Sequence, residues 1–294
     1  MSTVERPVGE PGDRAVQPAH RVRGPVALTG DWDRFLHLTT TLALMDWKLR
    51  FFGSALGYLW SLLRPLMLFG ILYFVFSQVL RVGSDVPDYP LQLLIGVLLF
   101  TYFGEVTGGA VTSLVDEETL VRKIAFPRAV IPVSVALTAS FNLALNLLTV
   151  ALFVVLGGVH PRVSWLFLPI PLVLLVALAT GVGMLLSVLY VSFRDIKPIW
   201  EVFLQALFYV TPIFYPVQLL LGYNRDLAHV AMANPVAALV QETRHLILGD
   251  AAPSAGAAIG TELRLLIPAA LLVGITLVGF LVFRRLSPTV AEEL

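Results

Sequence analysis

Arg64 and Glu105 are charged side chains within stretches that are otherwise apolar and uncharged. A charge at the centre of a bilayer costs roughly 3 kcal/mol on insertion scales, so such residues usually pair or face water. If the two stretches are antiparallel helices rising about 1.5 Å per residue, these side chains lie at depths that agree to within one turn. The sequence therefore predicts an Arg64–Glu105 ion pair. The alternative is that Arg64 snorkels to the headgroups while Glu105 faces a watery path.

Motifs of nucleotide hydrolysis and metal catalysis are missing from the chain. No G-x-x-x-x-G-K-[ST] sequence occurs, so this chain is not expected to hydrolyse ATP itself or to bind a cofactor directly. It has no cysteine and its five histidines are scattered, which argues against a metal site. Asp31-Trp32-Asp33 has the form of the D-x-D motif, which binds the metal ion of a sugar nucleotide in glycosyltransferases. Asp is also common at helix starts, and a helix start is the favoured interpretation here. No catalytic residue is predicted.

Composition and hydropathy define the elements that must position these residues. Of 294 residues, 57% are hydrophobic and 14% are charged, whereas soluble domains carry about 25% charged residues. Uncharged runs able to cross about 30 Å of hydrocarbon predict an all-α integral membrane protein with six transmembrane helices. The predicted spans are residues 59–80, 89–113, 129–157, 165–193, 198–220 and 264–284. Residues 1–30 are polar and lack an apolar leader, and are predicted to be a disordered cytosolic tail.

The basic residues of the loops predict the orientation. With both termini cytosolic, 14 Lys and Arg residues lie in inner segments and 5 lie in outer segments, Arg244 among them. This bias predicts a multi-pass protein of the plasma membrane with both termini inside. Net charge is zero and the basic residues form short clusters, which argues against a nucleic-acid partner.

Three further segments flank the spans. Residues 31–52 form an amphipathic helix that is predicted to lie in the membrane interface, with an apolar stripe of Phe35, Leu38, Leu42, Met45, Leu49 and Phe52. Residues 114–126 form a short helix with acidic residues at its start and basic residues at its end, which suits the helix dipole. A solvated turn is the alternative for that segment. Residues 222–250 are too polar to span the membrane but have an apolar side, and are predicted to lie at the outer surface or to dip back into the membrane. They are predicted to split where Asn234 caps a helix that begins at Pro235.

Several of these stretches together resemble type-2 ABC transporter permeases, in the branch that exports O-antigen, galactan and teichoic-acid polymers. The resemblance covers residues 31 to about 285 in order. It rests on Asp46-Trp47-Lys48-Leu49-Arg50-Phe51, Ser54-Ala55-Leu56-Gly57-Tyr58-Leu59-Trp60, Arg64-Pro65, Arg122-Lys123, Phe126-Pro127-Arg128, Phe193-Arg194-Asp195, Thr211-Pro212-Ile213-Phe214-Tyr215-Pro216 and Asn234-Pro235.

The resemblance implies a homodimeric permease that works with two separate ATP-binding subunits, which hold the ATP and Mg. It implies that this permease moves a lipid-linked glycan outward across the plasma membrane. Residues 31–52 resemble the interface helix of the family, 114–126 its coupling helix and 222–250 its outer gate helices. Contacts to the ATPase are then expected from Glu117, Glu118, Arg122 and Lys123.

The aromatic residues of the first and fifth spans acquire a role through the same resemblance. Aromatic rings can stack on the C–H faces of sugars, and in this family these two spans line the path. The predicted path residues are Phe69, Tyr73, Phe76, Phe208, Tyr209 and Tyr215. A lipid-facing belt or ordinary core packing is the alternative.

Two other functions are compatible with parts of this pattern. The same architecture exports drugs or lipids in other members of the class, and a membrane glycosyltransferase is a more distant alternative. A neighbouring gene for an ATPase, with glycan-synthesis genes beside it, would separate the three possibilities.

Overall fold

The computed structural model describes residues 32–51, 57, 59–82, 86–123 and 126–290, so the predicted tail 1–30 lies outside the described residues. Every regular element in this part of the chain is helical, which confirms the predicted all-α fold. The α-helices are α1 Trp32–Phe51, α2 Leu59–Tyr73, α3 Tyr89–Asp116, α4 Glu118–Lys123, α5 Val130–Leu156, α6 Pro169–Ser192, α7 Ile196–Val210, α8 Val217–Tyr223, α9 Arg225–Ala233, α10 Pro235–Leu248, α11 Ala255–Ile259 and α12 Leu266–Leu286.

Within the described residues, five helical stretches are long and apolar enough to cross a membrane. They are Leu59–Val79, Tyr89–Asp116, Val130–Leu156, Val163–Ser192 and Glu262–Leu286. The first includes a π-helical segment, Phe74–Val79, after α2, and the fourth and fifth begin with 3-10 turns. The prediction of long apolar spans is thus confirmed for these stretches.

The predicted span 198–220 is not one continuous helix. Helix α7 ends at Val210 after 15 residues, which cover only about 22 Å, and α8 begins at Val217. The reason is proline: Thr211 precedes Pro212, and its backbone is extended, as steric clash with a following proline favours. Prolines in membrane helices often produce only a kink, which is why the sequence pattern did not reveal this break.

The interrupted stretch nevertheless runs antiparallel to the first half of α3. Trp200 packs near Phe103 with ring centroids 6.5 Å apart, and Phe208 packs on Phe100 at 5.3 Å. Ile213 then lies against Gly96, still closer to the start of α3. This packing is roughly consistent with the predicted sixth span, while helices α8–α11 gather at the Tyr89 end of α3.

Helix α3 is the central helix of the bundle. It packs against α2, α5, α6, α7 and α10. Leu93, Leu94, Val97 and Leu98 near its start are all at most 2% exposed, as is Leu114 at its other end. A helix that is apolar on all sides and surrounded by neighbours is the expected core of a helical membrane bundle.

Helices α6 and α12 cross at two glycines. A Cβ on Gly279 would lie 2.0 Å from the backbone oxygen of Gly181, and a Cβ on Gly181 would lie 2.7 Å from Cα of Thr276. Small residues allow close backbone approach where lipid provides no hydrophobic force between helices. These glycines therefore determine how closely the two helices pack.

Large apolar side chains on the outer helices remain exposed in the single chain. Ile71 of α2, Val155 of α5 and Leu277 of α12 are each more than half exposed. In water such surfaces would be unfavourable, but lipid tails or another apolar helix face can cover them. This distribution agrees with a protein that spans the membrane several times.

Helix α1 packs along α5, in a register different from the predicted stripe. Thr39 is 4% exposed and Ala43 is fully buried, whereas Met45 and Leu49 are 56% and 68% exposed. The carbonyl of Ala43 accepts a hydrogen bond of 3.2 Å from the Thr138 hydroxyl. Small side chains thus face α5, and part of the predicted stripe faces outward, where lipid can cover it. Phe52 lies outside the described residues.

Candidate translocation path and coupling surface

The non-helical residues after α7 need hydrogen-bond partners because water cannot reach them inside the bundle. Arg244 of α10 supplies two of them: its Nη1 donates to the Pro212 carbonyl at 2.7 Å and its Nη2 to the Ile213 carbonyl at 2.7 Å. The Tyr89 hydroxyl donates to the next carbonyl, that of Phe214, at 2.6 Å. The broken span is therefore held at the Tyr89 end of α3 by named side chains.

Arg244 is 1% exposed, so within its segment it lies inside the bundle rather than at the outer surface. Its Nε also donates to the Gln92 carbonyl at 2.8 Å, which links α10 to α3. The planar guanidinium can donate in several directions at once, which a lysine cannot do. Gly96 makes room for it, because a Cβ there would lie 2.4 Å from Nη2.

Helix α10 lies inside the bundle between α3 and α6 rather than on its surface. It begins as predicted: the Asn234 side chain accepts a hydrogen bond from the Val236 amide at 3.0 Å, and Pro235 occupies the first turn. The Asn234 amide also donates to the Thr211 hydroxyl at 3.0 Å. One residue thus caps α10 and binds the start of the broken segment.

Most of the predicted path aromatics meet around a residue outside the predicted set, Phe214. Its ring centroid lies 4.7 Å from that of Phe76, 5.8 Å from Phe208, 5.9 Å from Tyr209 and 4.9 Å from Tyr215. The cluster joins the π-helical end of the first span to the broken span. Phe214 belongs to the Thr-Pro-Ile-Phe-Tyr-Pro motif. That motif could therefore have identified Phe214 as a path residue, although the predicted set did not include it.

The other two predicted path aromatics belong to a separate group. Phe69 stacks on Tyr73 with centroids 5.9 Å apart and makes an edge contact with Phe153 of α5 at 5.8 Å. Phe69 is 8% exposed, so in the single chain it packs in the core. Tyr209, in contrast, is 59% exposed.

Glu105 is paired, but with a cation other than the predicted one. Nη1 of Arg50, near the end of α1, donates to Oε1 of Glu105, and Nδ2 of Asn142 donates to the same oxygen at 2.7 Å. The Asn142 carbonyl oxygen in turn accepts from the Trp47 indole at 3.0 Å. The predicted Arg64–Glu105 pair is not formed. The end of α1 places Arg50 against the Glu105 carboxylate. Arg64 and Glu105 line one common cavity instead.

The predicted coupling segment 114–126 contains a shorter helix than expected. Helix α3 continues to Asp116, Glu117 forms its C-cap, and α4 is only the six residues Glu118–Lys123. Val121 of α4 is buried in a cluster with Phe283 at the end of α12. The side chains of Arg122 and Lys123 lie outside the described residues.

Acidic side chains gather beside this segment. Asp46 of α1, Asp116 and Glu117 line a small cavity of about 120 Å³. Burial raises the pKa of Glu117, and the nearby Asp46 and Asp116 carboxylates raise it further. Burial also raises the pKa of Asp46, while Arg50 opposes that shift. The Asp116 end of α3 and the neighbouring part of α1 therefore present a charged surface beside α4.

These elements define a class of protein: a multi-pass helical membrane protein with an interrupted span and an internal helix clamped to it. Residues 37–248 match the model of the ABC-2 type transporter family, which is well over half of the chain. The chain therefore belongs to the ABC-2 type transporter family.

Individual relatives are similar over most of their length. The O-antigen export system permease protein RfbA of Klebsiella pneumoniae is 28% identical over 212 residues, 72% of this chain and 80% of that protein. The protein of the same name from Myxococcus xanthus is 27% identical, over 78% of this chain and 87% of that protein. The polysialic acid transport protein KpsM of Escherichia coli is 22% identical, over 70% and 80% respectively.

Proposed function

We propose that this chain is the permease subunit of an ABC exporter that moves a lipid-linked polysaccharide outward across the plasma membrane. The carrying observation is the match of residues 37–248 to the ABC-2 type transporter family, with relatives that are named as O-antigen export permeases. In this proposal two copies of the chain form the membrane domain, and two separate ATPase subunits bind ATP and Mg. The polymer is of the O-antigen, galactan or teichoic-acid type.

The proposed path follows the aromatic cluster around Phe214. This cluster lies between the first span and the broken span, and its members Tyr209 and Tyr215 retain hydroxyl groups as well as ring faces. A polymer that slides through needs contacts that are easily exchanged. Ring faces provide such contacts because they bind sugars by stacking rather than by fixed hydrogen bonds.

Deleting the gene tests the proposal directly. Cells without the permease should accumulate lipid-linked glycan on the inner side of the membrane, and the same glycan should disappear from the cell surface. Complementation with the intact chain should restore export. Unchanged surface glycan together with increased sensitivity to a drug, or altered lipid distribution, would instead support the alternative of a drug or lipid exporter.

The proposed contact with the ATPase can be tested separately. Reversing the charges of Glu117, Glu118, Arg122 and Lys123 should reduce export at least tenfold and uncouple ATP hydrolysis from it, because a docking surface depends on charge complementarity. Membrane insertion should be unaffected. Normal export at normal levels of both subunits would mean that this segment is a solvated turn.

A further inference from the structure

The cavity that contains Arg64 and Glu105 is lined by α1, α2, α3 and α5, and the last three helices each contribute residues one turn apart. Its volume is about 670 Å³, within the range of ligand pockets. These residues are Trp60 and Arg64 from α2, Thr101 and Glu105 from α3, and Asn142 and Asn146 from α5. Arg50, Gly57, Ser61 and Pro65 complete the lining. Residues at i and i+4 share one face of a helix, so α3 and α5 each direct a polar pair at the same space, and α2 directs Trp60 and Arg64 at it. Such convergence is unusual within an apolar bundle.

The charges in this cavity do not balance. Glu105 is neutralised by Arg50 and bound by Asn142. Arg64 also lines the cavity, but among the described residues it makes no ion pair or hydrogen bond to a carboxylate. One guanidinium charge is therefore left over in a site between membrane helices. An anionic ligand would supply the missing counter-charge.

Asn146 adds a second, independent indication of a ligand. It is 7% exposed, and its Oδ1 is buried without a hydrogen-bond partner in the structure. A buried amide oxygen that lacks a partner costs free energy, so it usually marks a water or a ligand. A side-chain amide carries both an acceptor oxygen and an NH2 donor, so a half-turn of this group presents either of them to the cavity.

We propose that this cavity binds the phosphate group that joins lipid to glycan in the exported substrate, with Arg64 and Asn146 as its ligands. The inference rests on the proposed function. Arg64 lies five residues into α2, about 7.5 Å along the helix, which is close to headgroup depth. The outer face of α2 is apolar and exposed, as at Met67 and Ile71, so a lipid chain can lie along it while the phosphate enters the cavity. Trp60 is 48% exposed and offers a ring face to the first sugar.

Binding by the purified full-length permease tests this assignment. The probes are a long-chain polyprenyl diphosphate, the neutral polyprenol, phosphatidylglycerol and inorganic diphosphate. The wild-type protein should bind the polyprenyl diphosphate at least about tenfold more tightly than each of the other three. Arg64→Gln should abolish this preference, Arg64→Lys should retain part of it because charge without the planar fork is weaker, and Asn146→Leu should weaken binding several-fold. Arg284→Gln, at the exposed end of α12, is the matched control and should bind as the wild type does.

Three results would overturn the assignment. The first is unchanged binding of polyprenyl diphosphate by folded Arg64→Gln and Asn146→Leu. The second is that the wild type binds phosphatidylglycerol as tightly as polyprenyl diphosphate, which indicates a bulk-lipid site. The third is that it binds inorganic diphosphate as tightly, which indicates a free-anion site. Elution as a single species and an unchanged Tm establish folding of the variants. Failure of the proposed function is distinguished by the gene deletion, which would then trap no lipid-linked glycan.

Discussion

Gly96 and Arg244 together hold the broken span in place. The guanidinium reaches the carbonyls of Pro212 and Ile213 only because Gly96 has no Cβ in its way. This arrangement differs from an ordinary helix packing contact, because one charged side chain replaces the backbone hydrogen bonds that a continuous helix would make.

Replacing Gly96 by alanine should therefore destabilise the protein. The new Cβ would displace Nη2 and leave buried carbonyls without partners, which is expected to cost about 1–3 kcal/mol. A lower Tm of the purified protein measures the effect. Gly108→Ala in the same helix is the control, since nothing lies within 4 Å of a Cβ there and alanine favours helix. Equal stability of the two variants would contradict the role assigned to Arg244.

Glu117 gives a prediction about pH. Its raised pKa means that the folded protein holds this proton more tightly than the unfolded chain does, so the ionised carboxylate opposes folding as the pH rises through the raised value. Glu117→Gln should therefore raise Tm at pH 7, by about 1–2 °C at this partly exposed site, and have no effect below the ordinary value of 4.5. Asp33→Asn, on the exposed side of α1, is the control. A gain that persists undiminished at pH 4 would contradict this explanation.

At the scale of elements, the crossing of α6 and α12 depends on backbone contact. Gly279→Ala should force the helices apart, because its Cβ would lie 2.0 Å from the Gly181 oxygen, and overpacking of this kind costs about 1–3 kcal/mol. Gly274→Ala on the same helix has open space around the new Cβ and should be tolerated. Thermal unfolding of both variants in the same detergent provides the comparison. A similar loss at Gly274 would mean that lipid-facing packing, rather than the α6–α12 contact, is responsible.

The helices also show which features of the fold could be predicted from the sequence. Long uncharged runs predicted six spans, because hydrocarbon thickness dictates their length, and five of them are continuous helical stretches in the described residues. The break at Thr211 was missed, since a proline within an apolar run is compatible with either a kink or an interruption. The orientation of α1 was wrong in part, because buried Thr39 and Ala43 do not stand out in an apolar pattern.

The candidate site was less predictable than the spans because its contacts join segments that are distant in the sequence. Glu105 was recognised as a residue that needs a partner, but which cation reaches it depends on how α1 packs against α5. Arg244 carries a charge, and charge alone suggests a loop. Its burial follows from the carbonyls of a distant segment, 31 and 32 residues earlier, which no local pattern reveals.

At the scale of the whole molecule, the chain's lack of cysteine makes its orientation directly measurable. Tyr223→Cys should react with a membrane-impermeant reagent added outside intact cells, because that residue is 85% exposed at the Tyr89 end. Asp33→Cys should react only after the cells are opened. Leu93→Cys is the buried control and should react from neither side, since Leu93 is fully buried. Labelling of position 33 in intact cells would reverse the proposed topology.

The clamp on the broken span also has a consequence for biosynthesis. The ribosome adds Arg244 32 residues after Pro212, which at roughly 5–20 residues per second is a delay of about 2–6 seconds. During that interval the carbonyls after α7 have no partner from α10, and the hydrocarbon offers none. We therefore expect the nascent segment to stay at the water-filled insertion machinery until α10 emerges. Helices α7 and α10 should then enter the membrane as one unit, and a chain that stops before α10 should leave α7 uninserted.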